Sequence, residues 1–198
     1  MHYLAVALAI IVAYFLGTFP SALLVAKANG VNIVEAGSGN PGASNVARTL
    51  GARKGAMVYG LDASKGALAA FLGLSISGVA GGYLAAAAAL VGHVYPVTRR
   101  FKGGKGVATG SGAMSILQPL VSMGLLVLWF IVSKTTKKAA LASLSATIGL
   151  PIAMAMRGAP GWEVTGVSVV GVLVVVRHIP NLRRLYSGHE HSLKGKGT

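Results

Sequence analysis

Apolar residues gather in long runs over 3–27, 55–75, 78–97, 107–133, 139–156 and 163–177, with polar residues confined to the short stretches between them. Most of these runs are at or near the roughly 20 residues that carry a helix across a bilayer. The pattern predicts an all-α polytopic membrane protein, and a single domain over 1–198, because no long polar segment is left to form a soluble one. The first run is longer than the apolar core of a signal peptide and lacks a basic segment ahead of it. Ala26-Lys27-Ala28 is therefore read as the end of a span and not as a cleavage site. Residues 190–198 read as a flexible basic tail.

Composition strengthens this picture. Hydrophobic residues make up 54% of the 198 and charged residues only 11%, which suits lipid and not water. The 28 glycines permit close helix contact in a bilayer, where small residues drive packing. A net charge of +14 points to nucleic acid, anionic lipid or an anionic substrate. Nucleic acid is disfavoured, since the basic residues are scattered among short loops with no aromatic platform beside them. With no cysteine there is neither disulfide nor thiolate chemistry, and five scattered histidines with four acidic residues make a multi-ligand metal site improbable. No cofactor is expected.

Charge bias also orients the chain. Lys27, Arg48, Arg53 and Lys54 follow the first span, which places the N-terminus outside and this loop in the cytoplasm. Propagation puts Arg99, Arg100, Lys102 and Lys105 inside. If 107–133 crosses once, Lys134, Lys137 and Lys138 fall outside. If it crosses twice or re-enters, breaking near Gln118-Pro119, they return to the cytoplasm with Arg177, Arg183 and Arg184, and only Arg157 is left out. The bias favours seven transmembrane helices over six, some of them short, with a cytoplasmic C-terminus.

Three polar segments then end on one side. The first, Gly37-Ser38-Gly39-Asn40-Pro41-Gly42-Ala43-Ser44-Asn45-Val46-Ala47-Arg48, formally contains G-x-G-x-x-G, but a dinucleotide fingerprint needs a preceding strand and is discarded. What remains is chemistry suited to an oxyanion: glycines that free backbone donors, the hydroxyls of Ser38 and Ser44, the amides of Asn40 and Asn45, and the forked Arg48 guanidinium. A solvated polar loop is the plainer account. The second runs from Gly92-His93-Val94-Tyr95-Pro96 through Lys102-Gly103-Gly104-Lys105-Gly106-Val107, and Thr109 can add a hydroxyl where the next helix begins. It is not a Walker loop, because Gly106 follows Lys105 where Ser or Thr is required. A basic turn between two membrane helices would look similar. The third is Arg177-His178-Ile179-Pro180-Asn181-Leu182-Arg183-Arg184, where His178 reads equally as structural or catalytic. Asn181 shares its face only if Pro180 leaves the chain helical.

Inside the second run, Asp62 and Lys65 stand three apart, on one helix face. Ionisable groups in a membrane are costly and usually functional, while a self-neutralising pair would serve only to orient the helix.

The three segments, with Asp62-x-x-Lys65-Gly66 between them, resemble the bacterial acyl-phosphate:glycerol-3-phosphate acyltransferases, the PlsY family, in order and spacing over nearly the whole chain. Two departures are visible: Asn32-Ile33-Val34 stands where the family often has an Asp-Ile-Arg triplet, and Pro180 where an acidic residue usually precedes the motif asparagine. The resemblance implies a seven-helix enzyme of the bacterial cell (inner) membrane with its motifs facing the cytoplasm. It implies transfer of a fatty acyl group from acyl phosphate to the 1-hydroxyl of glycerol 3-phosphate, giving lysophosphatidic acid and phosphate, the first acylation of phospholipid synthesis. The partners expected are the lipid bilayer and these two substrates, with no obligate protein partner.

An acyl phosphate is already activated, so the protein must mainly hold two phosphates together and aim a hydroxyl at a carbonyl. The residues placed in catalysis are Lys105, His178, Arg48, Asn181 and Ser38. Those placed in substrate or phosphate binding are Gly37, Gly39, Asn40, Gly42, Ser44, Asn45, Lys65, Lys102, Gly103, Gly104, Gly106, Thr109 and Ser143. For Ser143, alone in an apolar span, helix packing is the plainer role. The proton goes either to His178 as general base or to the acyl phosphate's own oxygen. A transporter for an organic phosphate is the competing class, but it would show internal repeats and charges reached from both sides.

Overall fold

The computed structural model describes residues 2–193, and every regular element among them is helical. The chain divides into two compact units, Met1–Gln118 and Pro119–Thr198. Among the described residues four helical stretches are long and apolar enough to cross a membrane: His2–Lys27, Ala52–Arg99, Pro119–Thr136 and Ala139–Met156. A fifth is added if Gly161–Arg177 and Ile179–Tyr186, bent by 53°, count as one span.

In the first unit α1 (His2–Gly17) turns Leu4, Leu8, Ile11 and Phe15 outward at helical spacing and buries Ala13 and Gly17. An apolar outer face is what lipid requires. The expected single run 3–27 is broken at Thr18-Phe19-Pro20, because proline lacks an N–H and biases its predecessor away from helical geometry. The chain resumes as α2 (Ser21–Lys27). The short helix α3 (Ala43–Leu50) follows the first polar segment and leads into α4 (Ala52–Val94).

Non-helical dihedrals at Ser77 and Gly78 fold α4 into an antiparallel hairpin whose limbs, 52–76 and 79–94, are the two predicted runs. Gly73 and Gly81 meet across it so closely that a Cβ on either would come within 2.2 or 2.5 Å of the other's carbonyl oxygen. The same economy of side chains seats the neighbours. Gly17 of α1 lies on Ala89 of the second limb, and Gly112 of α5 (Val107–Leu117) lies on Ala63 of the first. Small residues bring backbones into contact where no water drives association. A separate cluster of Ala22, Val25, Ala26, Ile33, Val46 and Val58 joins α2, α3 and the start of α4, and underpins the first polar segment.

The predicted break at Gln118-Pro119 is present: α5 ends at Leu117 and α6 (Pro119–Thr136) begins the second unit. With 11 residues α5 rises about 16 Å, too little to cross a bilayer alone. Beyond it, α7 (Ala139–Met156) packs on α6 and on α8 (Gly161–Arg177), and α9 (Ile179–Tyr186) closes the unit.

Candidate functional site

The first polar segment is a built loop and not a slack one. Asn45, 1% exposed on the first turn of α3, accepts the Ser38 N–H at 2.9 Å and donates to the carbonyls of Ile33 at 3.1 Å and Ala36 at 2.9 Å. Gly37, at φ +58°, sits where a Cβ would fall 2.4 Å from the Asn45 carboxamide oxygen. The carboxamide oxygen and nitrogen of Asn45 both serve the loop, so this side chain shapes the segment. The shape sets the Ser38 hydroxyl beside Arg48, whose Nη2 donates to it at 3.3 Å. Two residues expected to act together are thereby in contact. Asn40, Gly42 and Ser44 lie half-buried on the same loop.

The second segment is tied to the end of α4. Tyr14 of α1 donates its hydroxyl to the Tyr95 carbonyl at 2.9 Å and accepts the Val97 N–H at 3.0 Å, clamping the corner from both sides. Arg100 and Phe101 take left-handed φ of 50° and 61° without being glycine, a conformation that the surrounding turn bonds hold in place. The N–H groups of Gly103 and Gly104 donate to the carbonyls of Val94 and His93, each at 3.1 Å. Those of Gly39 and Gly42 likewise donate to the carbonyls of Ala36 and Asn40. These four amides are thus spent inside the fold, contrary to the expectation that the glycines free them for a ligand. The glycines are present because backbone meets backbone: a Cβ on Gly103 would fall 2.0 Å from the His93 carbonyl oxygen. Lys102 is exposed, Lys105 is half-buried, and Gly106, at φ +88°, opens α5 directly behind Lys105. A helix start there favours an anion.

Two further residues expected at the phosphates are buried in the same unit. Thr109 is fully buried where α5 crosses Gly66. Lys65 is 6% exposed, bonded to Asp62 at 2.8 Å and donating to the Phe19 carbonyl at 3.0 Å. It lines, with Arg99, Thr18, Phe15, Phe19 and Leu68, a cavity of about 770 Å³.

In the second unit His178 occupies the bend between α8 and α9 and is 2% exposed. Its Nδ1 lies 2.8 Å from the Val174 carbonyl, which can only accept, so Nδ1 carries the proton and Nε2 is the basic nitrogen of the neutral ring. Pro180 sits in the first turn of α9, where its missing N–H costs nothing, and the chain stays helical through Asn181. The Asn181 amide donates to Glu190 Oε1 at 2.7 Å, and Arg184 Nε donates to Glu190 Oε2 at 2.9 Å. Lys138 adds a bond from its ammonium to the Glu190 carbonyl oxygen. Glu190 is therefore a buried organiser of the third segment, 5% exposed, and not the start of a flexible tail; residues 194–198 lie outside the described residues. Sequence reasoning missed it, and the signal that could have found it is scarcity: in a chain with four acidic residues, each carboxylate needs a reason. Ser143 accepts the Trp129 indole N–H at 3.2 Å, a contact between α6 and α7 that fits the plainer packing role.

The comparisons agree with the family that these segments resemble. The family described as Glycerol-3-phosphate acyltransferase matches residues 7–188. Curated proteins of that name are similar over nearly their whole length: one from Geotalea daltonii is 42% identical over 189 residues, covering 93% of this chain and 96% of that one, and one from Rubrobacter xylanophilus is 38% identical over 192 residues, covering 96% of each. Two crystal structures of PlsY, described as an integral membrane glycerol 3-phosphate acyltransferase, are 35% identical and cover 94% of each chain. The glycerol 3-phosphate form superposes with a TM-score of 0.91 and the lysophosphatidic acid form with 0.88. The family match, the near-complete coverage and the shared helical architecture together establish that this chain belongs to the glycerol-3-phosphate acyltransferase family of integral membrane acyltransferases, the PlsY family.

Proposed function

We propose that this protein transfers a fatty acyl group from acyl phosphate to the 1-hydroxyl of glycerol 3-phosphate, giving lysophosphatidic acid and inorganic phosphate. The observation that carries this reading is the likeness, at 35% identity, to PlsY in its glycerol 3-phosphate and lysophosphatidic acid forms. The transfer takes place on the cytoplasmic side of a bacterial inner membrane that holds seven helices of the chain, the short α5 among them, with its N-terminus outside; the loop charges support this orientation.

In the reaction the 1-hydroxyl oxygen attacks the acyl carbonyl carbon, the carbonyl carbon–phosphate oxygen bond breaks, and the hydroxyl proton leaves with the phosphate. Positive charge is the main requirement, since both substrates are anionic and the donor is activated already. Lys105 and Arg48 meet phosphate oxygens, with Ser38, Asn40 and Ser44 as neutral donors from the first loop. Gly37, Gly39, Gly42, Gly103, Gly104 and Gly106 let these loops close upon themselves. Asn181 and His178 bind the acceptor, and Lys102 adds charge at the exposed edge.

For the proton, the acyl phosphate's own oxygen is the acceptor. His178 sends Nδ1–H to a backbone carbonyl, so this nitrogen is not backed by a carboxylate, which would favour the imidazolium as in a Ser-His-Asp set. The Glu190 carboxylate is occupied by Asn181 and Arg184.

Purified protein given acyl phosphate and glycerol 3-phosphate together should release phosphate, and should release none with either alone. Failure in a well-folded sample would return an organic-phosphate transporter to first place. His178→Ala should keep near-normal turnover at saturating glycerol 3-phosphate while its KM rises; collapse of turnover at saturation would make His178 the base.

A further inference from the structure

Asp62, Lys65 and His93 form a buried ionisable cluster inside the α4 hairpin that the reaction above does not use. Their side chains are 3%, 6% and 7% exposed. Asp62 and Lys65 share the first limb, 2.8 Å apart. His93 stands on the second limb, with Nδ1 3.6 Å from the same Asp62 oxygen. The other ring nitrogen faces Gly104: a Cβ there would fall 2.2 Å from His93 Nε2, and the Gly104 N–H is bonded to the His93 carbonyl. One imidazole thus separates a buried carboxylate from the backbone of the glycine-lysine loop, one residue ahead of Lys105.

An Asp62–Lys65 pair alone would need no third member, since each neutralises the other. Ionisable groups held within membrane helices are expensive and mark working parts. The histidine is the part of the cluster that touches the loop, and glycine at 104 is the residue that lets it do so.

We propose that Asp62 and His93 are positioning residues for the phosphate loop. The Asp62 carboxylate orients the His93 imidazole, the ring supports Gly104 from beneath, and the support sets where the Lys105 ammonium meets a phosphate. The proposal rests on the acyl-transfer reading of this chain. Neither residue touches substrate; both act through the conformation of residues 102–106.

The test uses the full-length protein in detergent micelles as wild type, His93→Gln, Asp62→Asn, and Asp62→Asn with Lys65→Met. The double variant removes both members of the buried ion pair and so restores neutrality. Steady-state kinetics with acyl phosphate and glycerol 3-phosphate, inhibition by inorganic phosphate, and thermal unfolding are measured on each. In His93→Gln the KM for a phosphate substrate and the inhibition constant of inorganic phosphate should each rise about tenfold, with kcat changed by less than about threefold. The double variant should unfold near the wild-type temperature and keep the KM defect. A double variant that recovers both stability and KM would reduce Asp62 to a structural role and overturn the proposal, as would a His93→Gln enzyme with wild-type KM and phosphate inhibition. Should the wild type fail to turn over this substrate pair, the acyl-transfer reading falls by itself. Calorimetric binding of inorganic phosphate to wild type and His93→Gln then decides the inference: weaker binding by the variant upholds it, and equal or absent binding to both overturns it.

Discussion

The Ser38 N–H is bound by the Asn45 carboxamide oxygen at 2.9 Å, seven residues away across the turn that opens α3. With the bonds from the Asn45 amide to Ile33 and Ala36, this one side chain folds the segment that presents Ser38 to Arg48. A buried amide with three partners is costly to remove, because its partners are left in an apolar surround.

Asn45→Ala should therefore destabilise the protein by about 2–4 kcal/mol, since it strips three bonds from a buried site. It should also lower transfer activity by disordering Ser38. Thermal unfolding in detergent checks the first and turnover of the refolded fraction the second; a variant as stable as wild type would show that the loop stands without the amide.

Replacing Lys105 by Ala should cut turnover by about a hundredfold or more, the scale lost when one preorganised donor to a developing charge is removed. Lys105 is half-buried on a loop whose neighbouring glycines are held by backbone bonds, so helicity and melting temperature should stay near wild type. Circular dichroism and phosphate release measured on one preparation distinguish a lost cation from a lost fold.

Ser143→Ala removes only the hydroxyl that accepts the Trp129 indole N–H. The expected outcome is a stability loss of about 1 kcal/mol with activity within roughly twofold of wild type. A large fall in kcat/KM without loss of stability would assign Ser143 to the substrate site.

Glu190→Gln keeps an oxygen for the Asn181 amide but ends the ion pair with Arg184, whereas Glu190→Ala abolishes both. The alanine variant should be the less stable of the two, by about 1–2 kcal/mol, and should bind glycerol 3-phosphate less well because Asn181 is no longer held. Paired unfolding and KM measurements check the order; equal behaviour would mean that the Asn181 bond carries none of the effect.

Much of this protein was legible in the amino-acid order because local rules act locally. Lipid demands long apolar helices, so the predicted runs reappear as helices, and proline at 119 marks the break between α5 and α6 by its own covalent geometry. The motif residues Ser38, Arg48, Lys105, His178 and Asn181 were recognisable by type and spacing. What the tertiary structure alone decided is which polar atoms are already spent. Asp62 meets His93, 31 positions along, only because α4 folds back at Ser77-Gly78; Glu190 reaches Asn181 and Arg184 only because the chain beyond α9 returns to them. Of the glycine amides that look free in a sequence, those of Gly103 and Gly104 are bound to carbonyls at the end of α4, and those of Gly39 and Gly42 to carbonyls of their own loop. Hydropathy and spacing record where a helix runs and which face it shows, whereas a hydrogen bond depends on a separation of about 3 Å between atoms far apart in the chain, which only the closed fold can set.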